Sequence, residues 1–243
     1  QAMEGAELVA VFARKEDKAQ SFGQKYACSA YSDLNDFLSH DPMEVVSVAS
    51  VSGVHLEHVR AAALAGKHII CEKPLEITPQ RVDEMISICE ENKVSLSGIF
   101  PRRFNESTHI FKKVIEEKRL GKIILCDTAI KWWRTQEYYD SGAWRGTWNL
   151  DGGGALMNQS IHTIDLMLHL MGDVKSVAAF GGLEAHDGIE VEDIAVAIVE
   201  FKSGARGVIQ ASTACYSNSG LPASIHICGD QGSIMMVDDK FSI

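Results

Sequence analysis

The sequence predicts an α/β protein in which a parallel sheet is followed by an α+β region with a largely antiparallel open sheet. Short apolar segments alternate with amphipathic helical segments up to residue 100, a pattern typical of parallel sheets covered by helices. From Ile123 onward the apolar segments follow one another with little helix between them, which favours antiparallel pairing. We therefore predict two domains, residues 1–100 and 101–243.

The first domain is predicted from alternating strand and helix patterns. Strands are expected at 7–12, 45–49, 68–71 and 94–99, and helices at 16–26, 34–38, 56–65 and 79–89. Thr78 suits the N-cap of the last helix, with Pro79 in its first turn. Gly66 suits the left-handed position that ends the third helix.

The second domain is predicted to begin with one more helix, which ends at Gly121. Strands are expected at 123–131, 174–181, 191–201, 205–213, 224–228 and 233–237. Between the first two strands, Ile161, Ile164 and Leu168 recur at helical spacing, and Gly172 suits a helix end.

Three consecutive glycines, Gly152 to Gly154, precede this helix. Glycine allows backbone dihedrals that other residues avoid and lets another group approach the main chain. Asn158 and His162 are four residues apart, so we expect them on one helix face, one turn apart. We interpret this stretch as a glycine-lined cavity in which a small hydroxylated molecule is held and deprotonated. The alternative is a helix-entry loop with a structural core histidine.

The carboxyl ends of the predicted parallel strands carry a second group of polar residues. Ligands of such sheets bind beyond these ends. Here the ends carry Arg14, the segment 50–55 and the motif Glu72-Lys73-Pro74. Because proline restricts the preceding residue to extended geometry, we expect Lys73 to be held rather than mobile. The alternative is an ordinary surface lysine before a helix.

Composition and charge argue against several classes of function. The net charge of −10, without a lysine or arginine block, argues against nucleic acid and anionic membranes as partners. No apolar segment is long enough to span a bilayer, and no signal-peptide pattern opens the sequence. Six cysteines without a Cys-x-x-Cys pair favour reduced thiols and a cytoplasmic location. His55 and His58 lack further metal ligands nearby in sequence, so we predict no metal site.

These motifs resemble those of the Gfo/Idh/MocA family of nicotinamide-dependent oxidoreductases. Glu72-Lys73-Pro74 after a strand, and the glycine run followed by Asn158 and His162, carry the resemblance. Further matches are Gly66-Lys-His68, Arg102-Arg-Phe104 and Glu190-Val-Glu-Asp193. The resemblance implies a Rossmann-type dinucleotide-binding domain and a domain for substrate binding and oligomerisation. It also implies oxidation or reduction of a secondary alcohol or ketone on a sugar, sugar nucleotide or cyclitol.

The resemblance also implies roles for individual residues. Lys73 and His162 are the implied catalytic residues, with the lysine binding substrate and the imidazole exchanging the hydroxyl proton. Asn158 is an implied substrate contact. The implied cofactor-binding residues are Arg14, Ser50, His55, Glu72, Lys73, Trp144 and Arg145. Arg134, beside two tryptophans, suits a sugar pocket because aromatic faces contact sugar C–H surfaces, although sheet packing explains these residues equally well.

The chain departs from the family pattern in four places. The first strand and its Gly-x-Gly-x-x-Gly turn, which would cradle a pyrophosphate, are missing and the last sheet looks unfinished, so we expect a longer protein. Asn158 stands where many members have Asp, which shifts proton transfer to His162 and Lys73. Arg14 occupies the region of a ribose-binding carboxylate and favours NADP over NAD. Finally, Val51-Ser52 replace a frequent Pro-Asn.

Two other functions are compatible with the sequence. One is a non-catalytic nucleotide sensor or scaffold, which the missing glycine turn and Asn158 motivate. The other is a redox-neutral glycosidase that uses the nicotinamide transiently. We also expect a homodimer or homotetramer through the antiparallel sheet, because its exposed face needs covering.

Overall fold

A computed structural model describes residues 4–238 and 240–242 of the chain. The chain divides into two units, and each is described by itself. The first unit comprises the residues up to Ser50, Val54–Leu75 and Pro79–Gly98. The second comprises Val51–Gly53, Glu76–Thr78 and the chain from Ile99 onward.

Parallel strands and helices alternate in the first unit. The strands are β1 (Ala10–Phe12), β2 (Ser29–Tyr31), β3 (Val45–Val48), β4 (His68–Cys71) and β5 (Leu96–Gly98), and the helices are α1 (Glu16–Tyr26), α2 (Leu34–Leu38), α3 (His55–Leu64) and α4 (Pro79–Glu91). The predicted parallel α/β architecture is confirmed. The sequence analysis missed β2, because its three residues are exposed or only partly buried and form no apolar run.

The parallel strands form two sheets rather than the single sheet that the sequence predicts. β1 pairs with β2, whereas β3, β4 and β5 form a separate sheet in that order. Within the described residues β1 does not pair with β3, so no strand pairing joins the two sheets. Val48, Leu56, Val59 and Ile69 belong to the buried core of this unit.

The second unit is built on a large, mostly antiparallel sheet, as predicted. Its helices are α5 (Glu106–Glu116), α6 (Gln136–Asp140) and α7 (Ile161–Met171), and its strands are β6 (Ile123–Lys131), β7 (Val174–Gly182), β8 (Ile194–Phe201), β9 (Arg206–Ser212), β10 (Ser224–Gly229), β11 (Ser233–Val237) and β12 (Lys240–Ser242). Among the described strands the order is β12-β11-β10-β6-β9-β8-β7. Every pair is antiparallel except β6 with β9, which run parallel.

The two faces of this sheet differ in burial. On one face, α5 and α7 contribute Phe111, Leu166 and Met167 to a core that includes Phe201 and Ile227 from the sheet. The other face leaves large apolar side chains in solvent: Phe180 is 89% exposed, Ile198 61% and Val196 45%. Burial on one side only is typical of an open antiparallel sheet.

No helix within residues 4–238 and 240–242 is long and apolar enough to cross a membrane.

Candidate active site

In the first unit, Lys73 follows the carboxyl end of β4, where the sequence predicted it. The N–H of Glu72 donates to the carbonyl of Val48 at 2.9 Å, which continues the pairing of β4 with β3 by one residue. The carboxylate of Glu72 then accepts the backbone N–H of Lys73 at 3.1 Å. Glu72 therefore holds the main chain that carries the lysine.

His55, the first residue of α3, is only 1% exposed. Its Nε2 lies 3.0 Å from the carbonyl oxygen of Ser50, and its Nδ1 lies 3.0 Å from that of Pro74 and 3.2 Å from that of Leu75. A carbonyl only accepts, so contacts on both sides become hydrogen bonds when both ring nitrogens carry a proton. The ring thus joins the end of β3 to the segment that follows Lys73. Its predicted contact with a cofactor stays a prediction.

The other polar residues near the carboxyl ends of the parallel strands make different contacts. The hydroxyl of Ser50 lies 3.0 Å from Nδ1 of His58. Burial lowers the pKa of His58, and the charge of nearby His55 lowers it further. Arg14 is exposed, two residues beyond the end of β1. Among the described residues no group of three acidic, histidine or cysteine side chains could hold a metal ion.

In the second unit, the protein's own atoms fill the space beside the three glycines. Gly152 has a φ of +83°, and a Cβ there would lie 2.5 Å from Cγ2 of Ile77. A Cβ on Gly154 would overlap the carbonyl oxygen of Glu192. The predicted close approach to the main chain is present, but another part of the chain makes it. The cavity lined by these glycines stays a prediction.

The helix after the glycines begins with an irregular segment. Ala155–Ser160 is π-helical, and the regular helix α7 starts only at Ile161. The carboxylate of Glu192 accepts the N–H groups of Gly154 and Leu156, both at 2.9 Å. A carboxylate at a helix N-terminus satisfies free N–H groups and complements the helix dipole. Glu192 therefore fixes the start of the segment that leads to the predicted site.

Asn158 lies within the π-helical segment and contacts a buried acid. Its side-chain nitrogen donates to Oδ1 of Asp151 at 2.6 Å. Asp151 is 2% exposed, and its Oδ2 accepts the backbone N–H of Gly146 at 2.9 Å. The sequence analysis gave this aspartate no role, although it directly precedes the glycine run. Its partner Asn158 is seven residues away on the far side of the glycine run, and Asp151 lies outside the helix, so helical periodicity does not predict the contact.

His162 lies in the first turn of α7 and is half-buried. The edge of its ring faces Phe100, with ring centroids 6.5 Å apart. Asn158 belongs to the π-helical segment and His162 to the α-helix, so they do not share one regular α-helix as predicted.

Two arginines anchor the helix that carries His162. Arg102 donates to the hydroxyl of Thr163 at 2.8 Å. Arg103 forms two hydrogen bonds to Asp165, at 2.8 and 2.5 Å. The hydrogen bond to Asp165 raises the pKa of Arg103. These contacts fix two residues that follow His162 in the first turns of α7.

Arg134, a predicted substrate contact, is half-buried in an aromatic cluster. Its guanidinium lies 5.4 Å from the ring centroid of Trp132 and 5.5 Å from that of Tyr138. One of its terminal nitrogens donates to Oε1 of Gln159 at 2.7 Å. The amide of Gln159 in turn donates to the hydroxyl of Tyr138 at 3.0 Å. Since Gln159 directly follows Asn158, the structure places Arg134 beside the segment that carries the predicted substrate contact.

Arg145 stacks between two aromatic rings. Its guanidinium lies 4.2 Å from the centroid of Tyr138 and 4.6 Å from that of Trp144. Trp144 and Arg145 were predicted to contact the cofactor, and that role stays a prediction. Tyr138 lies in α6, a helix that the sequence analysis missed, so its contact with both arginines could not be foreseen.

A buried acid–histidine pair supports the main chain of Arg134. His186 is 4% exposed, and its Nδ1 lies 2.9 Å from Oδ2 of Asp193, which is fully buried. Its Nε2 lies 2.8 Å from the carbonyl oxygen of Arg134. Burial raises the pKa of Asp193, but hydrogen bonds from the N–H groups of Glu184 and Ala185 and from the His186 ring outweigh it, so the pKa is lowered overall.

The predicted residues thus fall into two groups. The first unit contains Arg14, Ser50, His55, Glu72 and Lys73. The second unit contains Arg134, Trp144, Arg145, Asn158 and His162. That Lys73 and His162 act on one substrate remains a prediction.

Two family profiles match the chain. Residues 1–100 match a profile described as the oxidoreductase family with an NAD-binding Rossmann fold. Residues 109–235 match a profile described as the GFO/IDH/MocA C-terminal domain.

Among solved structures, the chain is similar to the WlbA dehydrogenase from Chromobacterium violaceum in complex with NADH and UDP-GlcNAcA. Identity is 31% and the TM-score 0.92, over 98% of this chain and 69% of that one. The WlbA dehydrogenase from Bordetella pertussis, in complex with the same two ligands, is 34% identical with a TM-score of 0.90, over 94% of this chain and 69% of that one.

Named relatives give a wider range of activities. The myo-inositol 2-dehydrogenase of Thermotoga maritima is 30% identical over 96% of this chain and 68% of its own length. The 2,7-anhydro-N-acetylneuraminate hydratase of Mediterraneibacter gnavus is 31% identical over 76% of this chain. The chain spans about half of this hydratase, 48% of its length.

Proposed function

Since the chain belongs to the Gfo/Idh/MocA family of oxidoreductases, we propose that the protein is an NAD(P)-dependent oxidoreductase. Its substrate is a secondary alcohol or ketone on a sugar, sugar nucleotide or cyclitol. The similarity to the myo-inositol dehydrogenase and to the two WlbA dehydrogenases supports this class of substrate.

The observation that carries the proposal is the way each candidate catalytic side chain is supported within its own unit. Lys73 follows β4 on a main chain held by Glu72 and, beyond Pro74, by His55. His162 stands in the first turn of a helix anchored by Arg102 and Arg103. A catalytic side chain needs such support, because small displacements of reacting groups greatly lower the reaction rate.

The residues of this chain supply position and proton transfer. When bound, the nicotinamide accepts the hydride from the alcohol carbon or returns it to the ketone. Lys73 binds the reacting oxygen, and the imidazole of His162 accepts the hydroxyl proton during oxidation and donates it during reduction. Asn158, held by Asp151, orients a neighbouring hydroxyl and takes no proton.

Polar groups at the carboxyl ends of the parallel strands suit the ribose and nicotinamide part of the cofactor. The hydroxyl of Ser50 and the carboxylate of Glu72 suit ribose hydroxyls, and the guanidinium of Arg14 suits a 2′-phosphate. We expect NADP to bind more tightly than NAD for this last reason.

A redox-neutral reaction is the second candidate. The similarity to a protein named as a hydratase favours it. In such a reaction the nicotinamide would be reduced and reoxidised within one turnover, so product would form without net NADH.

We also expect a second copy of the chain to cover the open sheet face. The exposed apolar side chains Phe180, Val196 and Ile198 support this expectation. Substituting Ile198→Lys should lower the oligomeric state measured by light scattering, and an unchanged mass would contradict it.

The function is tested by screening the full-length protein with NAD and NADP against sugars, sugar nucleotides and cyclitols. Cofactor absorbance reports net reduction, and chromatography reports product formed without it. We expect net reduction with at least one sugar-like alcohol. Product without net reduction would favour the second candidate. Binding of cofactor with no product in either assay would favour a nucleotide sensor.

A further inference from the structure

A cysteine, a histidine and an aspartate meet on the open face of the large sheet in the second unit. Sγ of Cys228 lies 3.4 Å from Nε2 of His226 and 3.8 Å from Nδ1, so the sulfur faces the edge of the imidazole. Nδ1 of His226 lies 3.7 Å from Oδ2 of Asp127. None of the candidate catalytic or cofactor-binding residues belongs to this cluster.

Strand pairing brings the three side chains together. β10 pairs antiparallel with β6, and this register places His226 opposite Asp127. Residues two apart in a strand point to the same face, so Cys228 lies on the same face as His226. The intervening Ile227 is buried, as is Cys126 beside Asp127, so these two point into the core on the other face.

Solvent reaches the cluster. The side chains of His226 and Asp127 are 37% and 36% exposed, and Cys228 is partly exposed. The neighbouring Cys126 is fully buried, and burial raises the pKa of its thiol. Because the thiolate is the reactive form of cysteine, Cys126 is expected to stay inert.

Two other cysteines match Cys228 in exposure but not in surroundings. Cys28 and Cys215 are also partly exposed. In the part of the chain that the structure describes, neither of their sulfur atoms has a histidine within hydrogen-bond distance, whereas that of Cys228 does. The chain therefore contains its own comparison for the effect of the imidazole.

The order of the three groups is that of an activated nucleophile. A nucleophilic side chain lies beside a base, and a third group holds that base in position. Here the imidazole of His226 can take the proton of the Cys228 thiol. The carboxylate of Asp127 then forms an ion pair with the resulting imidazolium.

From this geometry we propose that Cys228 is a site of oxidation by peroxides, activated by His226 and Asp127. The thiolate attacks one oxygen of hydrogen peroxide, so that an S–O bond forms and the O–O bond breaks. The sulfur is oxidised to a sulfenic acid. The leaving hydroxide takes the proton of the His226 imidazolium and departs as water. The cluster lies on the surface of the sheet, so it suits a small oxidant that needs no deep binding site.

The test exposes the full-length protein to limiting hydrogen peroxide with dimedone, which traps sulfenic acids. Mass spectrometry then measures the labelling of each cysteine. We expect Cys228 to be labelled about ten-fold or more faster than Cys28 and Cys215, since the rate follows the thiolate fraction. Iodoacetamide, which alkylates thiolates without an oxidant, should give the same ranking. Fast alkylation of Cys228 without sulfenic acid would overturn the assignment of a peroxide.

Variants assign the reactivity to the cluster. In His226→Leu and His226→Gln, which cannot take the proton, the Cys228 rate should fall to within about two-fold of that of Cys28. Asp127→Asn should be intermediate. Glu200→Gln removes a carboxylate on β8, which β6 and β9 separate from β10, and should leave the rate unchanged. Thermal unfolding checks that each variant is folded, and a Cys228 rate that survives both His226 substitutions would overturn the proposal.

A last variant controls for access to the cluster. A second copy of the chain on the open face would shield Cys228 in the wild type. Phe180→Lys lies on the same face but on β7, so it disturbs such a contact without touching the cluster. Fast labelling of Cys228 in either the wild type or Phe180→Lys supports the proposal. Labelling no faster than that of Cys28 and Cys215 in both proteins would overturn it.

Discussion

The amide of Asn158 donates a hydrogen bond of 2.6 Å to the buried carboxylate of Asp151. The aspartate also accepts the N–H of Gly146, so it links the segment before the glycines to the π-helical segment after them. An amide at position 158 can donate to this carboxylate, whereas an aspartate there would need a proton to do so. Position 158 has an asparagine where many family members have an aspartate, and its amide supplies the hydrogen-bond donor that the Asp151 carboxylate accepts.

We predict that Asn158→Asp makes stability depend on pH. Two adjacent carboxylates disfavour ionisation of both, so one pKa in the folded state is raised above its unfolded value. The variant should therefore be close to wild type only near pH 3.5, below the unfolded pKa of about 3.9, and should lose about 2 kcal/mol or more of unfolding free energy by pH 8. Urea unfolding at both pH values measures this. Asn158→Leu, which adds no charge, should lose similar stability at both; an equal loss for Asn158→Asp would contradict the prediction.

The glycine run should be intolerant of alanine for a packing reason. At Gly154 a Cβ would overlap the carbonyl of Glu192, and relief would displace the start of the π-helical segment. We expect Gly154→Ala to destabilise the protein by about 3 kcal/mol or more. At the comparison position Gly172, φ is +79°, whereas that of Gly154 is −106°, and no atom lies within 4 Å of the added Cβ. Gly172→Ala should cost about 1 kcal/mol, and thermal unfolding of both variants tests the contrast.

His55 should matter for turnover through Lys73. Replacing it by leucine leaves the carbonyls of Ser50, Pro74 and Leu75 without this donor inside the unit. We expect His55→Leu to lower kcat about ten-fold or more, because a loosened Lys73 acts on the reacting oxygen. His40→Leu is a control outside this edge, and steady-state kinetics decides. An unchanged kcat would remove the positioning role.

Asp193 should stabilise the protein only above acidic pH. Its pKa is lowered in the folded state, so its contribution is present above about pH 4 and lost as pH falls through the folded value. Asp193→Asn cannot accept the same N–H groups and should cost about 3 kcal/mol at pH 7. The difference from wild type should shrink as the solution is acidified below pH 4. Urea unfolding across this range measures it, and Asp83→Asn, at an exposed site of α4, should match wild type throughout.

Local patterns predicted much of the fold. The bounds of α1, α2, β4, β6 and β11 agree with the expected segments, because apolar periodicity and flanking turn residues act within a few residues of one another. The parallel pairing of β6 with β9 was not predicted, since the sheet places side by side two strands that are far apart in the chain.

The sequence analysis named most residues of the candidate site but did not predict the contacts between them. Lys73, Asn158, His162 and Arg134 were identified by type and spacing. Glu192 was not, because it accepts an N–H from Leu156, which is 36 positions away in the sequence. The π-helical geometry depends on that distant contact and leaves no periodic pattern in the sequence.

The most direct test of the account is the turnover of Lys73→Ala and His162→Ala in the full-length protein, with a substrate found in the cofactor screen. We expect each substitution to lower kcat by about 100-fold or more, since each removes a group that binds the reacting oxygen or exchanges its proton. Affinity for NADH or NADPH should stay within a few-fold of wild type. Lys112→Ala and His109→Ala, at exposed positions of α5, should behave as wild type. Undiminished turnover in both Lys73→Ala and His162→Ala would contradict the proposed mechanism.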